Sequence, residues 1–258
     1  MTATLEVCID RFDAVEACVR GGADRLEACA CLDIGGVTPS RGMLRALSGS
    51  PLPVHVLVRP RGGDFVYGGV EVRQMLDDIA AVADAGLAGV VIGAATRAGE
   101  LDLTLMERLV RAAQGLDTTL HRVVDTLHDP LVALDRAVAL GMGRVLASGG
   151  RARAIEGVAV LGAMVERAAG RVQVVAGGGL DAGDIEPLFR LAGVRAFHGS
   201  CRGARPADPL LHRLGFCAAQ DRVCDASRVA AFRAAIDRAC HPLRPRRSPR
   251  RRSAPRCR

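Results

Sequence analysis

The chain contains no lysine, no tryptophan and a single tyrosine. Every basic side chain other than histidine is therefore an arginine. Aromatic residues make up 3% of the sequence, so the core must rest on Val, Leu, Ile and Ala. So few stacking surfaces argue against a dedicated nucleic-acid reader. No run of about eighteen uncharged apolar residues is present, which excludes a membrane-spanning helix. Glu6 and Asp10 interrupt the apolar run near the amino end, so no secretory leader is expected there. Structural zinc lacks its spacing, because one residue separates Cys29 from Cys31 and no second pair follows. Neither a hydrolase nucleophile elbow nor a kinase loop occurs.

Charge is unevenly placed. The formal net charge is +7, yet residues 241–258 hold eight arginines and no acid. Subtracting those eight from 35 basic residues leaves 27 against 28 acidic ones, so the body is close to neutral. The proline-rich basic segment cannot build a core. It reads as a disordered, solvated extension, with weak, salt-sensitive polyanion contact as the alternative.

What the chain has in quantity is aliphatic surface. A hydrophobic content of 49% over 258 residues suffices for one large core. Nine cysteines, an odd number in a chain that can fold without disulfides, suggest free thiols in a reducing cytoplasm.

Eight short strand-like runs alternate with helical patterns. The strands are read as Leu5–Asp10, Arg25–Ala30, Val54–Arg59, Gly89–Ala94, Thr118–Asp125, Arg144–Ser148, Val172–Ala176 and Ala196–Ser200. Helices are read over Val70–Ala85, Leu103–Ala113, Pro130–Leu140, Ile155–Ala168, Asp184–Leu191 and Ser227–Cys240. Asp129-Pro130 supplies a cap and a first-turn proline. The pattern predicts an α/β fold, a single (β/α)8 TIM-type barrel over residues 1–240, with a doubly wound open sheet as the alternative.

Alternation assigns the faces. Leu5, Val7, Ile9, Leu26, Ala28 and Ala30 should face the helices. Glu6, Cys8, Asp10, Glu27, Cys29, Cys31, His55, Leu57 and Arg59 should face the interior. So should Thr119, His121, Val123, Asp125, His198 and Ser200. Buried charge is costly unless paired, so these groups are expected to form one network, with Arg59 pairing Glu6 and Glu27.

The third strand runs into Arg59-Pro60-Arg61-Gly62-Gly63-Asp64-Phe65, where two arginines bracket a proline and two glycines precede an acid. Guanidinium forks suit carboxylate or phosphate, and glycines allow close backbone approach. Arg61 and Asp64 are expected to be freest to meet a ligand. Gly177-Gly178-Gly179 follows strand seven, where many barrels bind phosphate on backbone N–H groups; a plain tight turn is the alternative. Arg59, Arg61, Asp64, Gly177, Gly178 and Gly179 are thus the candidate ligand-binding set. Glu27, His121, Asp125 and His198 are the candidate acid–base groups. They would suit isomerisation or proton abstraction on a small phosphorylated or carboxylated substrate.

These segments resemble the CutC family, named for copper homeostasis. The resemblance is carried by Leu5-Glu6-Val7-Cys8, Gly22-Ala23-Asp24-Arg25-Leu26-Glu27-Ala28-Cys29 and Gly35-Gly36-Val37-Thr38-Pro39-Ser40. Arg59 to Phe65, His121-Arg122, Ser148-Gly149, Gly177 to Gly179 and Phe197-His198 continue it, from about residue 4 to 202. It implies a cytoplasmic, self-associating TIM-type barrel linked to copper. It also implies Cu(I) binding by Cys8 and Cys29, the positions matching those assigned to the metal in that family. Thiolates are soft ligands that select Cu(I), and Cys31 is a candidate third ligand. On the residues alone, both cysteines can equally be small buried hydrophobes. The partners implied are a copper ion or a small anion, without specific nucleic acid and without a membrane.

Overall fold

A computed structural model describes residues 3–241. Eight parallel strands close into a barrel in sequence order, with β8 returning to β1. The elements are β1 (Thr4–Ile9), α1 (Ala14–Gly21), β2 (Arg25–Ala28), α2 (Arg41–Leu47), β3 (Val54–Leu57), α3 (Gly69–Asp84) and β4 (Gly89–Ile92). They continue with α4 (Leu103–Ala112), β5 (Asp117–Leu120), α5 (Pro130–Ala139), β6 (Arg144–Ala147), α6 (Val158–Ala168), β7 (Gln173–Gly177), α7 (Ile185–Leu191) and β8 (Ala196–Gly199). A short hairpin, β9 (Arg202–Pro206) and β10 (Gln220–Cys224), encloses α8 (Pro209–Arg213). The last helix is α9 (Ala226–Cys240).

Two-residue periodicity explains the layering. Leu5, Val7, Ile9, Leu26, Ala28, Val54 and Val56 point outward into the large core between barrel and helices. Each fully buried Leu or Ile there contributes about 1.5–3 kcal/mol. Inside the barrel the apolar groups are few. Cys8, Cys29, Leu57 and Val91 form one cluster, and Leu146, Val175 and Ala196 another. The remaining interior is polar, with Glu6, Arg25, Glu27, His55, Thr119 and His121 all buried.

Two expectations are corrected. β5 stops at Leu120, and a 3-10 turn over Arg122–Thr126 follows. The turn changes the repeat from two to three residues, so Val123 joins the outer core rather than the interior. β2 stops at Ala28, and Cys31 sits exposed at φ +52° at the start of another 3-10 turn. The segment 202–224, where no element is expected from the sequence pattern, folds as β9, α8 and β10; its strands are mostly exposed and lack apolar alternation. The expected basic extension, residues 241–258, lies outside the described residues apart from His241.

The α5 start follows the sequence. Asp129 Oδ1 accepts from Leu131 N at 2.8 Å and Val132 N at 3.1 Å, with Pro130 in the first turn. Asp129→Ala is expected to cost about 1 kcal/mol. Urea unfolding should show it as a lower midpoint at unchanged slope.

Candidate functional site

The interior charges gather along the seam of β8, β1 and β2. Strand register places His198 and Arg25 opposite Glu6, and Glu27 opposite Cys8. His198 Nδ1 lies 2.7 Å from Glu6 Oε1 and 3.3 Å from Glu27 Oε2. Arg25 Nε donates to Glu6 Oε2 at 2.5 Å. Burial alone would raise the Glu6 pKa, but His198 and Arg25 outweigh it and hold Glu6 well below the carboxylate range. Glu27 has no such pair of cations. Burial pushes its pKa up to about 7, aided by Glu6 and only partly opposed by His198 and Arg25. For His198, burial is outweighed by Cys8, Glu27 and Glu6, which keep the imidazolium favoured. Near neutral pH the cluster thus holds two cations, one carboxylate and one carboxyl at the edge of ionisation.

Glu6, Glu27 and His198 bring three potential ligand atoms within 4.8 Å. The set fits a proton network better than a metal. Its His198 Nδ1 faces both carboxyl groups, so a cation would have to expel that proton beside Arg25. Its oxygen donors are also hard, and Cu(I) is soft.

Above the cluster, a cavity of about 730 Å³ is lined by Cys8, Glu27, Cys29, Arg59, His121 and His198, among others. Cys8 and Cys29 are both buried and share the apolar cluster with Leu57 and Val91. Burial, followed by Glu27 and Cys8, pushes the Cys29 thiol well above its ordinary value. Cys31 does not converge with them, because it is exposed beyond the end of β2.

Arg59 differs from its expected role. Instead of pairing Glu6 and Glu27, its guanidinium donates to the carbonyls of Ile34, Gly36 and Gly63 at 3.1, 2.8 and 2.7 Å and lies over Phe65. It clamps the loop after β2 to the loop after β3. Arg25 takes the charge-pairing role; it shares parity with Glu27, a signal present in the alternation. Arg61 is bound to Asp64, Glu71 and the Val66 carbonyl, and neither Arg61 nor Asp64 lines the cavity. Asp125 accepts from Ser148 N, Gly150 N and Arg122 Nε, all within 2.9 Å, so it fastens the loop after β6. Gly177 closes β7, where a Cβ would meet Leu146 Cδ1 at 2.6 Å. Gly178 and Gly179 line the cavity. His121 accepts from Val123 N at 3.0 Å through Nδ1, and burial together with Arg59 lowers its pKa to about 3. Arg222, Arg228 and Phe232, from the carboxyl-terminal segment, add a wall that no local sequence pattern marks.

The fold and this cavity define a single (β/α)8 barrel protein with a charged floor and a pocket lined at the carboxyl ends of its strands. The CutC family model matches residues 3–203, and the chain belongs to the CutC family. A family protein CutC from Rhizobium meliloti (strain 1021) is 42% identical over 235 residues, covering 91% of this chain and 96% of its own. One from Caulobacter vibrioides (strain NA1000 / CB15N) is 45% identical over 206 residues, 80% of this chain and 84% of its own. The crystal structure of a CutC from Streptococcus agalactiae, whose description names copper homeostasis, superposes with a TM-score of 0.73. It is 31% identical and covers 77% of this chain and 99% of its own. No helix among the described residues is long and apolar enough to cross a membrane.

Proposed function

We propose that this protein handles copper and holds one Cu(I) between the thiolates of Cys8 and Cys29. The observation that carries this reading is their shared position, since both are buried in one apolar cluster and both form the wall of one cavity. Two thiolates favour Cu(I) over the harder divalent ions. The copper association of the Streptococcus agalactiae protein supports the same assignment. Eight unpaired cysteines among the described residues fit a reducing compartment, and we place the protein in the cytoplasm.

Metal binding has to displace the Cys29 proton, so Cu(I) affinity rises with pH. The test is anaerobic competition against a chromophoric Cu(I) chelator. Wild-type protein is expected to take one Cu(I) per chain, and Cys8→Ser/Cys29→Ser to lose it. A double variant that keeps wild-type stoichiometry and affinity would overturn the assignment.

A further inference from the structure

The cavity carries more equipment than two sulfur ligands require. Five arginines line it, Arg59, Arg122, Arg202, Arg222 and Arg228, against two acids, Glu27 and Asp181. Arg59, Arg222 and Arg228 have no carboxylate partner within 4.0 Å among the described residues. Such a cavity favours an anion. Its edge between the adjacent strands β7 and β8 offers fixed donors as well. Among the described residues, the backbone N–H groups of Gly178, Gly179, Ser200 and Cys201 have no hydrogen-bond acceptor. All four residues line the cavity. Gly178 has φ +119°, a conformation that favours glycine, and a Cβ there would press on Arg122 and Ser148 at 3.1 Å.

Two further groups are set for chemistry. Glu27 lines the cavity, and His198 is the one ion-pair partner its carboxyl has within 4.0 Å among the described residues, with Glu6 also within 4.8 Å. His121 lies just past the end of β5, three strands away from β2 round the barrel. Its Nδ1 accepts the Val123 N–H, so the neutral ring carries its hydrogen on Nε2. That buried Nε2 has no partner.

We propose that the cavity is a proton-transfer site for a small anionic carbonyl compound, with the anion on the β7–β8 amides and Glu27 as the acid–base group. Glu27 carboxylate takes a proton from the carbon next to the carbonyl. The C–H bond breaks, an O–H bond forms on Glu27, and the electron pair moves onto the carbonyl oxygen. His121 Nε2–H donates to that oxygen; a neutral imidazole can do this without giving up its proton. Returning the Glu27 proton to the same or the neighbouring carbon completes exchange or isomerisation, and nothing else is consumed. Glu6 and Arg25 act as positioning residues that fix His198 beside Glu27.

The experiment follows deuterium uptake from D2O by proton NMR, using metal-free protein with dihydroxyacetone phosphate and with pyruvate. The two probes separate a phosphate from a carboxylate anchor. Wild type is expected to exchange one of them above the protein-free rate, with inorganic phosphate competing. Glu27→Gln should slow exchange by about 100-fold or more. No exchange with either probe, or an unaffected Glu27→Gln protein, would overturn the proposal. Because no metal is present, such a failure leaves the Cu(I) titration untouched.

Discussion

Glu6→Ala is expected to lower the melting temperature by on the order of 10 °C. The substitution strips one carboxylate from between two buried cations, leaving Arg25 with no other carboxylate partner within 4.0 Å among the described residues. Removing one member of a buried ion cluster costs about 3–5 kcal/mol, because the stranded charge cannot reach water. For a domain of this size each kcal/mol shifts melting by about 2–4 °C. Acid should shrink the gap. The folded-state pKa of Glu6 is depressed, so its stabilisation is present above the unfolded value of about 4.3 and is lost as pH falls through the folded value. Glu27 has the opposite sign. Its folded pKa is raised to about 7, so its contribution is present below about 4.3 and is lost as pH rises through 7. Glu27→Gln should therefore gain on wild type above neutrality while Glu6→Ala does not. Calorimetry of the three proteins between about pH 3 and 9 reads both trends. A Glu6→Ala deficit independent of pH would show that Glu6 is not the ionised partner of His198 and Arg25.

The barrel was legible because its two repeats are strong. Val54, Val56 and Val58 alternate with His55, Leu57 and Arg59, and that alternation correctly separated the outer core from the interior. It could not rank inward residues by depth. Depth depends on the stagger of neighbouring strands, which no single strand encodes. Alternation therefore pairs Arg59 with Glu6 and Glu27, whereas it lies two residues past the end of β3 and meets carbonyls of the neighbouring loops. Arg25 lies in the layer of Glu6 and takes the pairing. The same gap affected Asp125, where a 3-10 turn replaced the extended chain and carried the carboxylate to the Ser148 amide. The wall from Arg222 to Phe232 had no local signal, because its role depends on where the hairpin and α9 pack.

Gly157→Ala should be strongly destabilising although it adds a single methyl group to the loops that frame the cavity. Gly157 has φ −98°, so alanine meets no backbone strain there. The obstacle is another stretch of backbone. An added Cβ would overlap the Ser148 carbonyl oxygen and lie 2.9 Å from Gly149 Cα. Backbone cannot swing aside as a flexible side chain can, so the β6 loop has to move as a unit. Overpacking of this kind costs about 3 kcal/mol. Gly170 provides the contrast, since it has φ +78° and nothing within 4 Å of an added Cβ. Gly170→Ala should cost only the left-handed conformation, about 1–2 kcal/mol. Urea unfolding of both variants separates the two causes, and equal losses would mean that the Ser148–Gly157 contact is not tight. Damage at Gly157 should also travel to the pocket. Ser148 holds Asp125 through its N–H and Arg122 through its hydroxyl, and Arg122 lies against Gly178 at the cavity edge. A displaced Ser148 therefore loosens the arginine and the glycine backbone together, so on the proposed anion site Gly157→Ala should weaken inorganic phosphate binding more than Gly170→Ala does.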